Sequence, residues 1–465
     1  MNFYEVYTNL NNNQRNAVDA IEGWVMVVAG PGTGKTQVLG ARVARILEIT
    51  DANPENILCL TFTEAATIAL RKRLNEFIGS QSYKVSVTTY HGFCNTVIQE
   101  NKDYFGIEDL DPIDDLETME VMKEIVDELP NDSLIKRFVG DVYYDTQTLL
   151  KLFGLMKKDH LSAKEIQMLV ANKLESMKTD EAYLYKRKSG DNKKGDLNLR
   201  KYNADKEPLL KLVEASSLLN SYNNKLAKRK RYDFNDMITW VLDAFQENEN
   251  LLLKYQEQYQ YFLVDEYQDT NGVQNELLYS LINYWDNPNV FVVGDDDQSI
   301  YKFQGANVKN IRDFYLKYEK HVRLVVLDKN YRSTQQILDG STAVIKHNKE
   351  RLVGQVPGLK KDLVAARKDL ANLERSLSVV EYPNSFQEVV SITSRIKELK
   401  NQGQDLKEVG ILYRNHSQSE ELIKYLEAEG ISYNVAKSQN VLEEPIVKHL
   451  NTLLTYLSLE SERLD

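Results

Sequence analysis

The chain has 465 residues, 42% of them hydrophobic and 27% charged, with two cysteines, six histidines and a formal net charge of −11. This composition is typical of a globular protein with about two to four domains, and the few scattered cysteines and histidines argue against a disulfide framework or a zinc or iron site. No apolar run approaches the roughly 18 residues of a membrane span, and the first residues lack a signal peptide's apolar core, so we expect a cytoplasmic protein with no membrane partner.

The first predicted elements surround a loop of small residues. A helix is expected within residues 8–20, with Asn11 to Asn13 as possible caps. A short buried strand at Val25 to Ala29 follows, and another helix is predicted over Gln37 to Leu47. The loop between them has the sequence GPGTG, so the segment predicts a strand, a glycine-rich turn and a helix in succession.

This glycine-rich turn is suited to binding a phosphate chain. Its three glycines let the backbone N–H groups approach an anion closely, and the following helix points its positive end at the same place. Lys35 can add a charge to the phosphates and the Thr36 hydroxyl can ligate Mg²⁺. Ala29 stands where the strict pattern has glycine, and the alternative interpretation is a turn followed by Lys-Thr by chance. The predicted nucleotide-binding residues of this stretch are Ala29, Gly30, Pro31, Gly32, Thr33, Gly34, Lys35 and Thr36.

The next elements alternate in the way that is typical of a parallel α/β sheet. A strand is predicted at Ile57 to Thr63, a helix at Glu64 to Ile78 and a third strand at Lys84 to Thr89. The polar ends TFT and TTYHG fall at the carboxyl ends of the two strands, where ligands collect in such sheets.

Residues 95–231 lack strand-like runs, and helical periodicity dominates. Since the α/β pattern resumes afterwards, we interpret this segment as a mainly helical insertion. Basic residues cluster within 186–206 and 228–231, which indicates either solvated helix faces and loops or a nucleic-acid contact.

A pair of adjacent acidic residues follows the insertion. An amphipathic helix at Tyr232 to Ala244 leads to the strand Tyr261 to Val264, which ends in Asp265 and Glu266. One carboxylate can hold Mg²⁺, and the next can deprotonate the attacking water. Adjacent acids after a strand are common, but together with the glycine-rich loop they indicate nucleotide hydrolysis.

The strand Asn289 to Val293 is followed by GDDDQSIYKFQGA. Gln298 is a candidate for contact with a γ-phosphate or its water. Tyr301 and Phe303 are either minor core residues or platforms on which bases stack.

A second α/β unit is predicted to begin with Val322 to Leu327. Tyr331 offers a face for a purine ring, and Arg332 offers a fork for a γ-phosphate bound in the first unit. Residues 351–377 are predicted to form a loop and an exposed helix. The remaining predicted elements are strands at Ser378 to Tyr382, Val409 to Tyr413 and Ser432 to Val435, and helices at Ser417 to Glu429 and Glu444 to Leu457.

Taken in order, these motifs resemble those of the superfamily 1 DNA helicases of the UvrD/Rep/PcrA type. NNNQRNAV is similar to the family's adenine-reading Q motif, AGPGTGKT to its first motif, TFTEAA to motif Ia and TTYHGFC to motif Ib. FLVDEYQDTN is similar to motif II, VVGDDDQSIYKFQGA to motif III and LDKNYRSTQQIL to motif IV. The later segment GILYRNHSQSEEL resembles a single-strand contact of the second motor domain.

The resemblance implies an α/β P-loop NTPase fold with a RecA-like domain 1A at residues 1–94 and 232–320. It further implies a helical insertion 1B at 95–231. The first part of a RecA-like domain 2A is expected at 321–450, and the start of domain 2B at 451–465. The resemblance also implies an ATP-dependent 3′–5′ DNA helicase that uses Mg²⁺, acts on single-stranded DNA and junctions of single- and double-stranded DNA, and works with repair proteins.

The same resemblance assigns roles to individual residues. Gln14 would contact adenine and Tyr331 would stack on it, while Thr36 and Asp265 would hold Mg²⁺. Lys35, Glu266 as base, Gln298 as γ-phosphate sensor and Arg332 as arginine finger would be the catalytic residues. The DNA track would be lined by Phe62, Thr63, His91, Tyr301, Phe303 and Arg414.

Departures from the family pattern leave alternatives open. Glu64 and Ala65 replace the usual Asn-Lys, Phe303 and Gln304 replace Trp-Arg, and Gln37 stands where arginine is usual. Since the family's later motifs are missing from residues 1–465, we expect an N-terminal portion of a longer helicase that binds nucleotide and hydrolyses it poorly alone. The alternatives are a nucleotide-switched module that binds DNA or a partner without unwinding, and the motor part of a helicase–nuclease.

Overall fold

A computed structural model describes residues 3–106, 110–137, 140–187, 192–300, 309–371, 373, 377–435 and 445–464. The chain divides into two units, Met1–Ser376 and Leu377–Asp465. Among the helices of these described residues, none combines the length and apolar character that a membrane crossing requires.

The first unit is organised around a parallel β-sheet. Its strands are β1 (Trp24–Ala29), β2 (Ile57–Thr61), β3 (Ser86–Thr89), β4 (Asp111–Pro112), β5 (Arg231–Tyr232), β6 (Tyr261–Val264), β7 (Asn289–Gly294), β8 (Arg323–Leu327), β9 (Lys329–Asn330) and β10 (Val364–Ala365). Six of them form one sheet in the order β3-β2-β6-β7-β1-β8, and every neighbouring pair in it is parallel. The predicted parallel α/β fold is therefore confirmed.

Helices cover both faces of this sheet, because alternate residues of its strands are apolar in both directions. In β1, Met26 and Val28 belong to the core shared with α5 and α11 to α14, whereas Val25 and Val27 belong to the core shared with α1 to α4. The helices are α1 (Phe3–Asn9), α2 (Asn12–Asp19), α3 (Lys35–Ile49), α4 (Glu64–Ile78), α5 (Tyr90–Glu100), α6 (Lys102–Phe105), α7 (Asp115–Asp127), α8 (Thr146–Lys158), α9 (Ala163–Thr179), α10 (Leu199–Lys228), α11 (Asp236–Glu247), α12 (Glu249–Gln258), α13 (Gly272–Ile282), α14 (Lys309–Tyr318), α15 (Gln335–Ile345) and α16 (Lys368–Ala371).

One predicted strand belongs to a different sheet from the one expected. Val322 to Leu327 was predicted to open the second α/β unit, but β8 pairs in parallel with β1, with Val25 opposite Arg323 and Ala29 opposite Leu327. That prediction is wrong because β8 pairs with the edge of β1 that faces away from β7, and the buried side chains of β8 extend the core there. The four predicted domain boundaries remain predictions.

The predicted helical insertion is mainly helical in the structure. α7 to α10 pack around their own apolar core, which includes Val121, Phe153 and Leu219. The two-residue strands β4 and β5 pair in parallel and bring the ends of the insertion together, a contact too short to leave a sequence signal. Two residues of the basic cluster at 228–231 form ion pairs with α7: Arg229 contacts Glu124 at 2.5 Å and Arg231 contacts Glu117 at 2.8 Å.

The second unit contains α17 (Ser385–Asn401), α18 (His416–Ala428) and α19 (Pro445–Leu464). The predictions for α18 and α19 are confirmed. Three segments of this unit were predicted as strands: Ser378 to Tyr382, Val409 to Tyr413 and Ser432 to Val435. Within the described residues, none of them pairs with another strand. Those predictions are wrong because β-propensity requires a neighbouring strand to pair with, and the apolar side chains of Val379 and Leu412 are 99% and 100% exposed.

Ion pairs at the end of α8 join the insertion to the sheet domain. Lys157 has a side chain that is only 4% exposed, and its ammonium lies 2.5 Å from Asp236. His160 contacts Glu276 on α13 at 2.9 Å and Asp243 on α11 at 3.7 Å. These carboxylates raise the pKa of His160 from 6.5 to about 9, with Asp243 making the largest contribution. The imidazole is therefore charged at neutral pH.

We predict that replacing His160 by Gln destabilises the protein by about 1 kcal/mol at pH 6, a value discounted for partial exposure. Because the folded pKa is raised above the ordinary value, the stabilisation is complete below pH 6.5 and is lost as pH rises through 9. Urea unfolding of both proteins at pH 6 and pH 10 should show a difference only at the lower pH. NMR titration of the wild-type imidazole should give a pKa near 9, and a value near 6.5 would contradict the assignment.

Candidate nucleotide-binding site

The order of the strands brings the sequence motifs together at one edge of the sheet. β6, β7, β1 and β8 are consecutive neighbours and all parallel, so the loops that follow them leave the sheet side by side. These loops carry the acidic pair Asp265 and Glu266, the triplet that begins at Asp295, the glycine-rich loop 30–34 and the segment around Arg332.

The glycine-rich loop has the backbone of an anion-binding turn. Gly32 and Gly34 have φ values of 68° and 88°, in the left-handed region that favours glycine. Gly34 is the N-cap residue of the 15-residue helix α3, and it has no side chain with which to cap that helix. The buried Thr33 closes the turn by donating its hydroxyl to the carbonyl of Gly30 at 2.7 Å. Uncapped N–H groups at a helix N-terminus fit a phosphate group.

Neighbouring segments approach this loop so closely that side chains on its glycines would collide with them. A Cβ on Gly32 would lie 2.6 Å from the Cβ of Arg332 and 2.8 Å from Nδ2 of Asn330. A Cβ on Gly30 would lie 2.8 Å from the side chain of Leu363. The loop is therefore enclosed by residues that are distant in sequence.

Lys35 and Glu266 form the central contact of the site. The ammonium of Lys35 lies 2.7 Å from Oε2 of Glu266, and both side chains are partly exposed. Glu266 has φ 46° and ψ 47°, a left-handed conformation that is uncommon for a residue with a side chain and is enriched at functional sites. Thr36 follows Lys35 and Asp265 precedes Glu266, so both predicted metal ligands adjoin this ion pair.

Asp265 is almost completely buried beside this contact. Burial, and then the charge of Glu266, raise the pKa of its carboxyl to about 6. One of its oxygens accepts a hydrogen bond from the N–H of Glu266 at 2.9 Å. A buried carboxylate whose negative charge is poorly compensated fits the donor set that Mg²⁺ prefers.

Gln268 connects the loops that follow β6 and β7. Its amide nitrogen donates to Glu266 at 2.8 Å and to Asp269 at 3.2 Å, and its oxygen accepts the N–H of Asp295 at 2.9 Å. Gln298 in turn donates its side-chain amide to Asp295 at 2.5 Å. Sequence reasoning selected Gln298 but missed Gln268, because a glutamine between acids gives no signal of what it contacts.

The predicted adenine-contact residues also lie at the glycine-rich loop. Gln14 completes a capping box with Asn11 at the start of α2, which confirms Asn11 as a cap, and its amide donates to the carbonyl of Thr33 at 2.9 Å. Tyr331 donates its backbone N–H to the carbonyl of Gly32 at 2.8 Å, and its hydroxyl accepts a hydrogen bond from Asn11 at 2.8 Å. Gln14 and Tyr331 are therefore both attached to the same loop.

Arg332 is exposed, and its backbone lies against the glycine-rich loop. The expectation that it approaches from a second unit is wrong, because it follows β8 of the same sheet. Asn330, which the sequence did not single out, fixes it. This residue is 1% exposed, donates to the carbonyl of Pro31 at 2.5 Å and accepts the N–H groups of Arg332 and Ser333 at 2.8 Å each. An Asn that accepts N–H groups two and three residues ahead is an Asx-turn signal, which could have been recognised.

Three of the predicted DNA contacts follow β2 and β3, in the other half of the sheet edge. Phe62 and His91 are half-buried and Thr63 is exposed. Burial, with a smaller contribution from Lys158, lowers the pKa of His91. Thr63 caps α4 by accepting the N–H of Ala66 at 3.1 Å.

The remaining predicted DNA contacts are Tyr301, Phe303 and Arg414. Tyr301 and Phe303 lie outside the described residues. Arg414 is exposed in the second unit, where its N–H donates to Gln418 at 2.8 Å. The unexpected Glu64 accepts the Thr89 hydroxyl at 3.1 Å and so ties the ends of β2 and β3 together.

The parallel sheet and the glycine-rich loop define an α/β protein of the P-loop NTPase class. Within that class, the chain belongs to the UvrD/REP helicase family. Residues 10–319 match the UvrD/REP helicase N-terminal domain, and residues 325–463 match the UvrD-like helicase C-terminal domain.

Similar proteins include the ATP-dependent DNA helicase PcrA of Staphylococcus epidermidis, which is 30% identical over 453 residues, or 97% of this chain and 53% of the relative. The proteins of the same name from Leuconostoc citreum and Staphylococcus aureus are 29% and 27% identical, covering 98% and 97% of this chain and 53% of each relative. The chain thus spans about half the length of these curated relatives.

We predict that Asn330→Ala weakens nucleotide binding by the glycine-rich loop. The change leaves a carbonyl and two N–H groups without their partner, at a cost of about 1–3 kcal/mol. Thermal unfolding with and without ADP should show a smaller ligand-induced stabilisation than in wild type. Asn101→Ala, which removes a side-chain hydrogen bond to Tyr255 in another part of the unit, should lower stability and leave the ADP-induced shift unchanged. Equal shifts in all three proteins would refute the role of Asn330.

Proposed function

We propose that this protein is an ATP-dependent DNA helicase and translocase that couples hydrolysis of Mg²⁺-ATP to movement along single-stranded DNA. The observation that carries the proposal is the contact between Lys35 and Glu266 at 2.7 Å, directly beside a turn built to bind phosphate. Membership in the UvrD/REP helicase family and the names of the similar proteins support it.

Each residue of the site has its own proposed role in ATP hydrolysis. The glycine-rich loop and Lys35 bind the β- and γ-phosphates. Glu266 accepts the proton of the water that attacks the γ-phosphorus, and ADP leaves as the bond to its β-phosphate oxygen breaks. Gln298 orients that water, and Arg332 neutralises charge on the transferred phosphoryl group. Thr36 and Asp265 would hold Mg²⁺, which supplies further neutralisation of the phosphates.

Single-stranded DNA is the proposed track, and junctions of single- and double-stranded DNA are the proposed substrates. Phe62, Thr63 and His91 lie at the same sheet edge as the nucleotide site, where a strand could pass over β2 and β3. Travel in the 3′–5′ direction and a role with repair proteins rest on the family resemblance.

We predict that Lys35→Ala lowers ATP affinity and abolishes turnover, because the cation that faces the phosphates is removed. Glu266→Gln should lower kcat by about 10²–10⁴-fold and leave ATP affinity nearly unchanged, because only the proton acceptor is lost. Steady-state hydrolysis with oligo-dT and titration with a fluorescent ATP analogue measure the two quantities. Lys254→Ala, at an exposed lysine paired with Glu100, is the control. Equal loss of binding in both variants would contradict the assigned roles.

We further predict that Phe62→Ala weakens binding of oligo-dT by about 1–3 kcal/mol, the contribution of one stacked base. ATP affinity without DNA should be unaffected, since the residue lies on the half of the sheet away from the glycine-rich loop. Fluorescence anisotropy at fixed salt measures the DNA affinity. An exposed aromatic in the insertion, Tyr144, supplies the matched control Tyr144→Ala. Unchanged DNA affinity in Phe62→Ala would remove this residue from the track.

A strand-displacement assay distinguishes the proposed helicase from the alternative of a nucleotide-switched module that binds DNA without unwinding it. A helicase separates a duplex with a 3′ single-stranded tail only when ATP is hydrolysed. ATP-dependent DNA binding without displacement would favour a nucleotide-switched module instead.

A further inference from the structure

The acidic triplet after β7 is an unusual concentration of like charge. Oxygen atoms of Asp295, Asp296 and Asp297 lie within 4.8 Å of one another, and the first two side chains are fully buried. Buried carboxylates at this separation repel each other strongly unless cations or hydrogen-bond donors compensate them. The compensation has to come from elsewhere in the chain.

Two cations from residues 351–365, here called the anchoring segment, provide it. The ammonium of Lys361 contacts Asp295, lies 2.8 Å from Asp296 and 2.9 Å from Asp297, and its side chain is 3% exposed. The guanidinium of Arg351 binds both oxygens of Asp297 at 2.7 and 2.8 Å. Lys361 therefore fills the position among the carboxylates that a bound cation would take.

The triplet also controls the side chain of Gln298. Asp295 uses one carboxylate oxygen to bind Lys361 and the other to accept the amide of Gln298 at 2.5 Å. Its backbone N–H donates to Gln268, which holds Glu266. If Asp295 rotates to escape its acidic neighbours, Gln298 loses the contact that orients it.

The anchoring segment reaches the other parts of the site as well. Its Leu363 packs against Gly30, and β10 pairs with β9, which contains Asn330. Leu352 and Val356 are buried in the core beneath the sheet. The segment is therefore fixed by the core at one end and by the nucleotide site at the other.

We propose that Lys361 is a positioning residue for ATP hydrolysis: it holds Asp295 among its acidic neighbours, and Asp295 in turn orients Gln298. This inference rests on the proposed function, and it adds a residue that lies outside the sequence motifs. Lys361 acts on the rate of the chemical step through Asp295 and Gln298.

The test compares Lys361→Met with Lys361→Arg in DNA-stimulated ATP hydrolysis. Lys361→Met should lower kcat about tenfold or more, and each factor of ten corresponds to 1.36 kcal/mol of activation free energy. The Kd of a fluorescent ATP analogue should stay within about threefold of the wild-type value. Lys361→Arg keeps the charge and should recover at least part of kcat. Lys157→Met removes a lysine buried to the same degree between Asp233 and Asp236, and should lower the Tm without lowering kcat at a temperature where it is folded.

A double variant separates positioning from stability. Lys361→Met with Asp296→Asn restores the balance of charge in the cluster but not the contact to Asp295. Its Tm should rise toward the wild-type value while kcat stays low. Recovery of kcat together with Tm, or an unchanged kcat in Lys361→Met, would overturn the inference and leave the proposed function intact. A wild-type protein that does not bind the fluorescent ATP analogue would overturn both.

Discussion

The site depends on one geometric constraint: parallel strands deliver the loops that follow them to the same edge of a sheet. β7 lies between β1 and β6, so the loops after these outer strands lean toward each other across its end. This is how Lys35 and Glu266, which are 231 positions apart in the chain, come within 2.7 Å of each other. The motifs lie far apart in sequence, but the order of the strands makes them neighbours.

The same constraint concentrates negative charge, and the structure handles it in two separate groups. The acids after β6 share Lys35, whereas the triplet after β7 is compensated by Lys361 and Arg351. Gln268 joins the two groups by hydrogen bonds from a neutral amide side chain and adds no further charge. A carboxylate in place of this amide would bring a further like charge to both groups and remove the donor that Glu266 requires.

The sequence predicts those features whose cause is local. The strand, the glycine-rich turn and α3 follow from residues within a single stretch, and so does the capping of α2 by Asn11. Features with a distant cause could not be predicted. Nothing in the sequence around Lys361 indicates that its partner lies 66 positions earlier, and a buried lysine within a stretch of polar residues looks like a surface lysine. The placement of β8 failed for the same reason, because the edge of β1 that it covers is set by the whole sheet.

The nucleotide site and the proposed DNA track share a structural element. β2 and β6 are adjacent, and the backbone N–H of Asp265 donates to the carbonyl of Leu60 at 2.9 Å. Only one residue separates Leu60 from Phe62. A displacement of the loop after β2 would therefore reach the backbone that carries Asp265 and Glu266 through this hydrogen-bonded pair of strands. Because Glu266 already occupies a strained left-handed conformation, a small shift of this ladder changes the position of its carboxylate relative to Lys35. The proposed coupling between DNA binding and hydrolysis therefore requires no long pathway, since the two proposed sites are attached to neighbouring strands.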